Sequence, residues 1–115
     1  MSATSGDENV FVEPGRRELH LTETAAHALG GLLAGSREMM ALLASTVNSY
    51  ARYADTGLFA PSLVNWGFDN RTCAVRISAS GRLEYKLPDA SVNPYLSHAA
   101  ILEALGRGLA GAIDP

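Results

Sequence analysis

The sequence predicts an α+β fold, an antiparallel sheet segment with flanking helices. Three stretches carry the prediction. A threonine-capped, apolar-rich run begins at Thr22, two alternating stretches over 72–78 and 82–87 are joined by Ala79-Ser80-Gly81, and Asn93-Pro94 precedes a long amphipathic run. At 115 residues the chain has room for one domain with a modest core, or for part of a larger one.

Residues 1–9 are small and polar and read as a loose start, with 10–115 as the folded part. Thr22 followed by Glu23 is an N-cap with an acid in the first turn, which suits the positive end of a helix. The helix should run from Thr22 to Ala34. Its Gly30–Gly31 pair costs about 1 kcal/mol each relative to alanine, so glycine there marks the close approach of another backbone. Gly35–Ser36 reads as a break, with Ser36 capping a second helix from Arg37 to Ala44. From Ser45 to Pro61 no period is sustained, which predicts an irregular loop.

Sheet follows. Ser62–Phe68 reads as a strand, and Thr72–Ser78 and Arg82–Leu87 as a hairpin closed by a three-residue loop ending in glycine. Alternation puts Cys73, Val75, Ile77, Leu83, Tyr85 and Leu87 on one face. Arg76, Arg82, Glu84 and Lys86 take the other, and a symmetric loop sets Arg76 opposite Glu84. Finally, Asn93 caps a helix with proline at its first position, continuing to Ile113. Leu96, Ala99, Ala100, Leu102, Leu105, Leu109 and Ile113 are its apolar positions.

Composition excludes some functions without naming one. Nine basic against twelve acidic side chains give a net charge of −3, which offers no general attraction for nucleic acid or an anionic membrane. No apolar stretch approaches the ~20 residues that span a bilayer. The single cysteine, Cys73, has no internal disulfide partner, and the first residues lack a secretory pattern, so the expected compartment is the cytoplasm.

The charged hairpin face has two readings. One is a solvated surface whose charges neutralise each other. The other is a site for anions and metal, with guanidinium groups gripping phosphate oxygens and a carboxylate holding a hard cation against them.

The blocks NSYARY, AP, NRT, VRI, RLEYKLPDASVNPYL and AAILEALGRGLAGAID resemble, in order and spacing, the catalytic domain of the glutamine synthetase family. ENVF and LTETAAHALGGLL resemble the stretch that follows the family's histidine-containing metal motif, so the likeness covers about residues 7–115. It implies an ATP-dependent ligase in which ATP phosphorylates the side-chain carboxylate of glutamate, and ammonia or a small amine then displaces phosphate from γ-glutamyl phosphate. It also implies magnesium or manganese in a tunnel lined by antiparallel strands, and an oligomer. By the resemblance, Glu84 is a metal ligand and Arg71 and Arg76 neutralise the transferring phosphoryl group. Arg76 and Arg82 contact nucleotide, and Arg52 and Lys86 hold the substrate carboxylate.

Two departures bear on chemistry. Lys86 stands where the family has an arginine, keeping the charge but losing the two-pronged grip. Phe59 stands where the family has a glutamate that helps deprotonate ammonium, and a phenyl ring cannot accept a proton. Either Asp55 takes over or the acceptor is a small amine, as in the γ-glutamylamide-forming (γ-glutamylmethylamide) branch, which WGFDNRT also resembles. The family's other metal glutamates and its metal histidine lie upstream of the matched region. His20, His27 and His98 are expected in packing or surface roles. One carboxylate cannot hold two or three magnesium ions, so the chain alone is expected to be inactive. It would act within a complete subunit or beside a separately encoded partner. The alternatives are a non-catalytic module that associates with full-length family members, or a remnant.

Overall fold

The computed structural model describes residues 1–13, 20–54 and 63–115. Its elements are β1 (Thr4–Ser5), β2 (Glu8–Asn9), α1 (Glu23–Leu43), α2 (Val47–Ala54), β3 (Trp66–Phe68), β4 (Val75–Ile77), β5 (Leu83–Tyr85) and α3 (Pro94–Gly111). Helices beside small sheets make the fold α+β, as the sequence predicts.

Thr22 caps α1 as expected, its hydroxyl oxygen accepting from the Ala25 N–H at 3.1 Å. The break expected at Gly35–Ser36 does not occur, and α1 is one continuous helix. Ser36 is fully buried, and its hydroxyl donates to the Leu32 carbonyl at 2.6 Å while lying 2.7 Å from the Tyr85 hydroxyl. A side chain that could have ended the helix is instead spent bonding the preceding turn and the sheet.

The glycines of α1 behave as anticipated. A β-carbon on Gly31 would overlap the Ala104 carbonyl, one on Gly108 the His27 carbonyl, and one on Gly30 the Ile113 carbonyl. α1 and α3 therefore meet backbone to backbone, and the bare glycines permit it.

The loop expected over 45–61 contains α2. Thr46 opens it: its hydroxyl oxygen accepts from the Ser49 N–H at 3.2 Å, while Ser49 Oγ accepts from the Thr46 N–H at 3.3 Å. This reciprocal cap nucleates a helix too short for a periodic signal. The Tyr53 hydroxyl donates to the Leu87 carbonyl, tying α2 to the chain just past β5.

The strands are shorter than the alternation suggested, but their register is as read. β4 and β5 pair antiparallel with Val75 opposite Tyr85, Arg76 opposite Glu84 and Ile77 opposite Leu83. The connection is the expected one: the Ser78 N–H donates to the Arg82 carbonyl at 2.9 Å, and Gly81 takes φ +72°, where a side chain is strained. β3 joins the far edge of β4 in parallel, through the tight connection 69–74. Such pairs usually need a long crossover. Of its expected span, Ser62 lies outside the described residues and Leu63–Asn65 are not strand.

Residues 1–9, read as a loose start, hold the β1–β2 hairpin. Met1 also bridges the free edge of β5, its amino group donating to the Leu83 carbonyl at 2.6 Å and its carbonyl accepting from the Leu83 N–H at 2.8 Å.

Asn93 caps α3, accepting from the Tyr95 and Leu96 N–H groups at 3.0 and 3.3 Å with Pro94 in the first turn. The buried stripe of α3 is Ser97, Ile101, Ala104, Leu105 and Gly108. Leu96, Leu102 and Leu109, expected inside, are exposed. The stripe follows the small residues that let α1 approach, not the largest side chains. The core joins Leu29, Leu32 and Leu43 of α1 with Val75, Ile77, Leu83 and Leu87 around the hairpin and Ile101 and Leu105 of α3. No helix among the described residues is long and apolar enough to cross a membrane.

Candidate functional site: the charged face of the hairpin

Strand alternation puts the apolar residues of β4 and β5 against the core, so their polar neighbours must project outward. Val75, Ile77 and Leu83 are buried, and Arg76, Glu84 and Lys86 on the opposite face are half-buried. Arg76 Nη1 donates to Glu84 Oε2 at 2.8 Å. Its Nε and Nη2 donate to a single oxygen of Asp69, at 3.0 and 2.5 Å. Hydrogen bonding to Asp69 is the main cause that raises the Arg76 pKa, with burial opposing it and Glu84 adding to it. Side-chain exposure is 17% for Arg76 against 54% for Asp69 and 44% for Glu84. The arginine is thus enclosed by two carboxylates that both still face solvent.

Lys86 lies in register beyond Glu84, and its ammonium donates to the backbone carbonyl of Arg71. Burial is the main cause that lowers its pKa, and Glu84 opposes that shift. This contact draws Arg71, at the entry to β4, beside the same face. The guanidinium groups of Arg71 and Arg82 are exposed and form no ion pair among the described residues. Arg82 is placed on the charged face by alternation with Glu84, and its charge helps lower the pKa of the neighbouring Met1 amino group, after burial.

Five of the six expected site residues (Arg71, Arg76, Arg82, Glu84 and Lys86) therefore belong to one ribbon and its approach. The sixth, Arg52, is in α2, and its side chain is outside the described residues, as are Asp55 and Phe59. Sequence reasoning missed Asp69. The signal was an acid beside Asn70 in a tight turn, but its meeting with Arg76 depends on the parallel pairing of β3. His20 is buried, its Nε2 accepting from the Glu13 N–H at 2.7 Å, and His27 Nε2 lies 3.9 Å from Asp114.

A hard cation takes about six oxygen ligands. Among the described residues no group of three or more His, Cys, Asp or Glu could hold a metal ion. Glu84 and Asp69 each keep one oxygen not bonded to Arg76, and two carboxylate oxygens fall short of that number, so these residues do not fit a complete magnesium site and could contribute at most two ligands. The charged face is also separate from the apolar cleft of about 440 Å³ on the other side of β5, lined by Leu83, Tyr85, Pro88, Ser97, Ile101 and Leu105 among others. What this surface can do chemically is grip an anion with exposed guanidinium groups set around a carboxylate.

Comparison with known proteins gives a consistent result. The profile of the family described as glutamine synthetase, catalytic domain, matches residues 1–115. A glutamine synthetase of Pyrococcus woesei is 39% identical over 119 aligned residues, covering 100% of this chain and 26% of the relative. A γ-glutamylethanolamide synthetase, GlnA4, of Streptomyces coelicolor is 44% identical over 92 residues, covering 77% of this chain and 20% of the relative. Among solved structures, an ADP complex of GmaS superposes with a TM-score of 0.82 at 40% identity, covering 97% of this chain and 27% of that one. The chain thus spans about a quarter of the length of the proteins it matches.

Proposed function

Because the chain belongs to the glutamine synthetase family, we propose that it supplies the phosphate-gripping hairpin of an ATP-dependent amide ligase. It would do so within a complete family catalytic fold, in the cytoplasm, as part of an oligomer or beside a family subunit. The observation that carries the reading is the Arg76–Glu84 pair, set across the ribbon in register with Arg82 and Lys86. On this reading the γ-phosphoryl group of ATP passes to the side-chain carboxylate of glutamate. An amine then attacks the acyl carbon of the resulting acyl phosphate, releasing inorganic phosphate and leaving an amide.

Each residue has a part in that scheme. Arg71 and Arg76 neutralise the oxygens of the group in flight, which is the electrostatic work phosphoryl transfer requires. Arg82 holds nucleotide phosphate. Arg52 and Lys86 hold the glutamate carboxylate, Lys86 as a point charge. Magnesium or manganese, when bound, would neutralise phosphate charge, with Glu84 as one ligand and the rest supplied from beyond these residues. The acceptor favoured is a small primary amine, since Phe59 replaces the ammonium-handling acid. Likeness to a γ-glutamylethanolamide synthetase agrees with that choice.

The test puts this chain in place of the matching segment of the Streptomyces relative and assays phosphate release by the chimera with glutamate, magnesium ATP and ammonia, methylamine or ethanolamine. The expected result is turnover with an alkylamine, lost in Arg76→Ala, and none by the chain alone. A folded chimera that is inactive with every amine, or vigorous turnover by the chain alone, would overturn the reading.

A second reading, a non-catalytic module that associates with full-length family members, is favoured by one observation. Tyr95, Leu102 and Leu109 recur at heptad spacing along α3 and are 85%, 60% and 46% exposed. Light scattering of the chain with and without a full-length relative tests it, and a strictly monomeric mixture would count against it.

A further inference from the structure

We infer that Asp69 is the positioning residue of the charged face, holding the Arg76 guanidinium in place to meet a phosphate. The inference rests on the proposed nucleotide role of that face, and it concerns a residue outside the set the family resemblance supplies.

Arg76 is held from two sides. Glu84 takes one N–H, while one oxygen of Asp69 takes two. A guanidinium carries five N–H donors, so two remain for a ligand, one on each terminal nitrogen. They suit the paired oxygens of a phosphate. Glu84 holds only one of the three engaged N–H groups, at one terminal nitrogen, and by itself leaves the guanidinium plane free to turn. Without a second anchor, the long side chain would then spread among its rotamers, and ordering it again would weaken binding.

Asp69 is built to be that anchor. Its backbone continues the β3–β4 ladder, the N–H donating to the Ile77 carbonyl at 2.8 Å, one residue beyond Arg76. It has φ 47°, a left-handed conformation that aspartate and asparagine tolerate better than most residues. The turn behind it is closed by Asn70, whose side-chain oxygen accepts from the Thr72 N–H at 2.9 Å and the Thr72 hydroxyl at 2.7 Å. None of these anchoring bonds involves Glu84.

The experiment reads the arginine directly. In the ¹⁵N-labelled 115-residue chain, the Arg76 Nε–H resonance is assigned by its loss in Arg76→Lys, and its exchange with water is measured. Asp69→Asn removes the charge while keeping size and backbone tolerance. We expect slow exchange in the parent chain and in Glu84→Gln, and roughly tenfold faster exchange in Asp69→Asn at an unchanged thermal midpoint. Unchanged exchange in Asp69→Asn, or faster exchange in Glu84→Gln alone, overturns the assignment. Binding of manganese ADP by the chimera with the Streptomyces relative, followed by fluorescence of a labelled nucleotide, supplies the functional half. The expected loss in Asp69→Asn is about tenfold, with no further loss when it is added to Arg76→Ala. Independent, multiplying losses would overturn it. A resonance that behaves as expected beside a chimera that takes up no manganese ADP would sink the nucleotide role while leaving the ion pair standing, so the two failures are told apart.

Discussion

The helix seam and the hairpin face are built on opposite terms. Where α1 crosses α3, Gly30, Gly31 and Gly108 bring backbone against backbone, and no atom can be added. On the outer face of β4 and β5, Arg76, Asp69 and Glu84 satisfy one another while remaining partly open to water. The seam derives its stability from exclusion, and any change is felt through overlap or lost contact. The hairpin face gains little stability from its charges, since solvent screens them and their ordering costs entropy. For that reason its pairs can be exchanged for a ligand's oxygens. A region that contributes little to folding is free to be selected for binding.

That contrast can be broken by substitution. The largest expected effect is at the seam, where Gly31→Val should destabilise the chain by about 3 kcal/mol or abolish folding, as overpacking against backbone cannot relax cheaply. Urea denaturation measures it, and a loss under 1 kcal/mol would show that the helices can separate at no cost.

The next effect is a pH dependence at Tyr85, whose phenol is pushed up to about 12, chiefly by burial, with the Ser36 hydrogen bond opposing. The folded state resists ionisation that the unfolded chain undergoes near pH 10, so the folded state binds the extra proton between those values. Stability should therefore be intact below about pH 10 and fall by up to about 1.4 kcal/mol per pH unit from there towards 12. Tyr85→Phe should flatten that part of the profile, and an unchanged slope would remove burial of the phenol as its cause.

Smaller again is Ser36→Ala, which leaves the Tyr85 hydroxyl without its buried partner and should cost about 1–2 kcal/mol by thermal melting. The smallest stability effect belongs to the site. Glu84→Gln should shift the melting curve by less than Ser36→Ala does, while weakening manganese ADP binding by the chimera several-fold. If Glu84→Gln unfolds the chain as readily as the seam variant, the charged face is structural and the contrast fails.

Features set by local chemistry could be read from the chain. The Thr22 and Asn93 caps, the Gly81 turn and the facing of Arg76 and Glu84 follow from side-chain bonds or from the strand's period of two. What could not be read depended on distant partners. Ser36 looked like a helix start until Tyr85 was found beside it, and Leu102 looked like core until the glycine seam fixed which side of α3 meets α1. α2 was hidden because its start rests on a reciprocal cap, not on an apolar stripe. For the site, alternation plus family likeness named the ribbon's charges. Asp69 escaped because only the parallel placement of β3 carries it to Arg76.

The seam also affects how a mutational survey of this chain would read. Every missense codon at Gly31 or Gly108 installs at least a methyl group where a carbonyl already sits. A library selected for growth should therefore lose variants there as completely as at any arginine of the hairpin. Intolerance in such a map would mark two unrelated causes with the same colour. Only a parallel measurement of protein abundance would separate positions that keep the chain assembled from those proposed to handle phosphate.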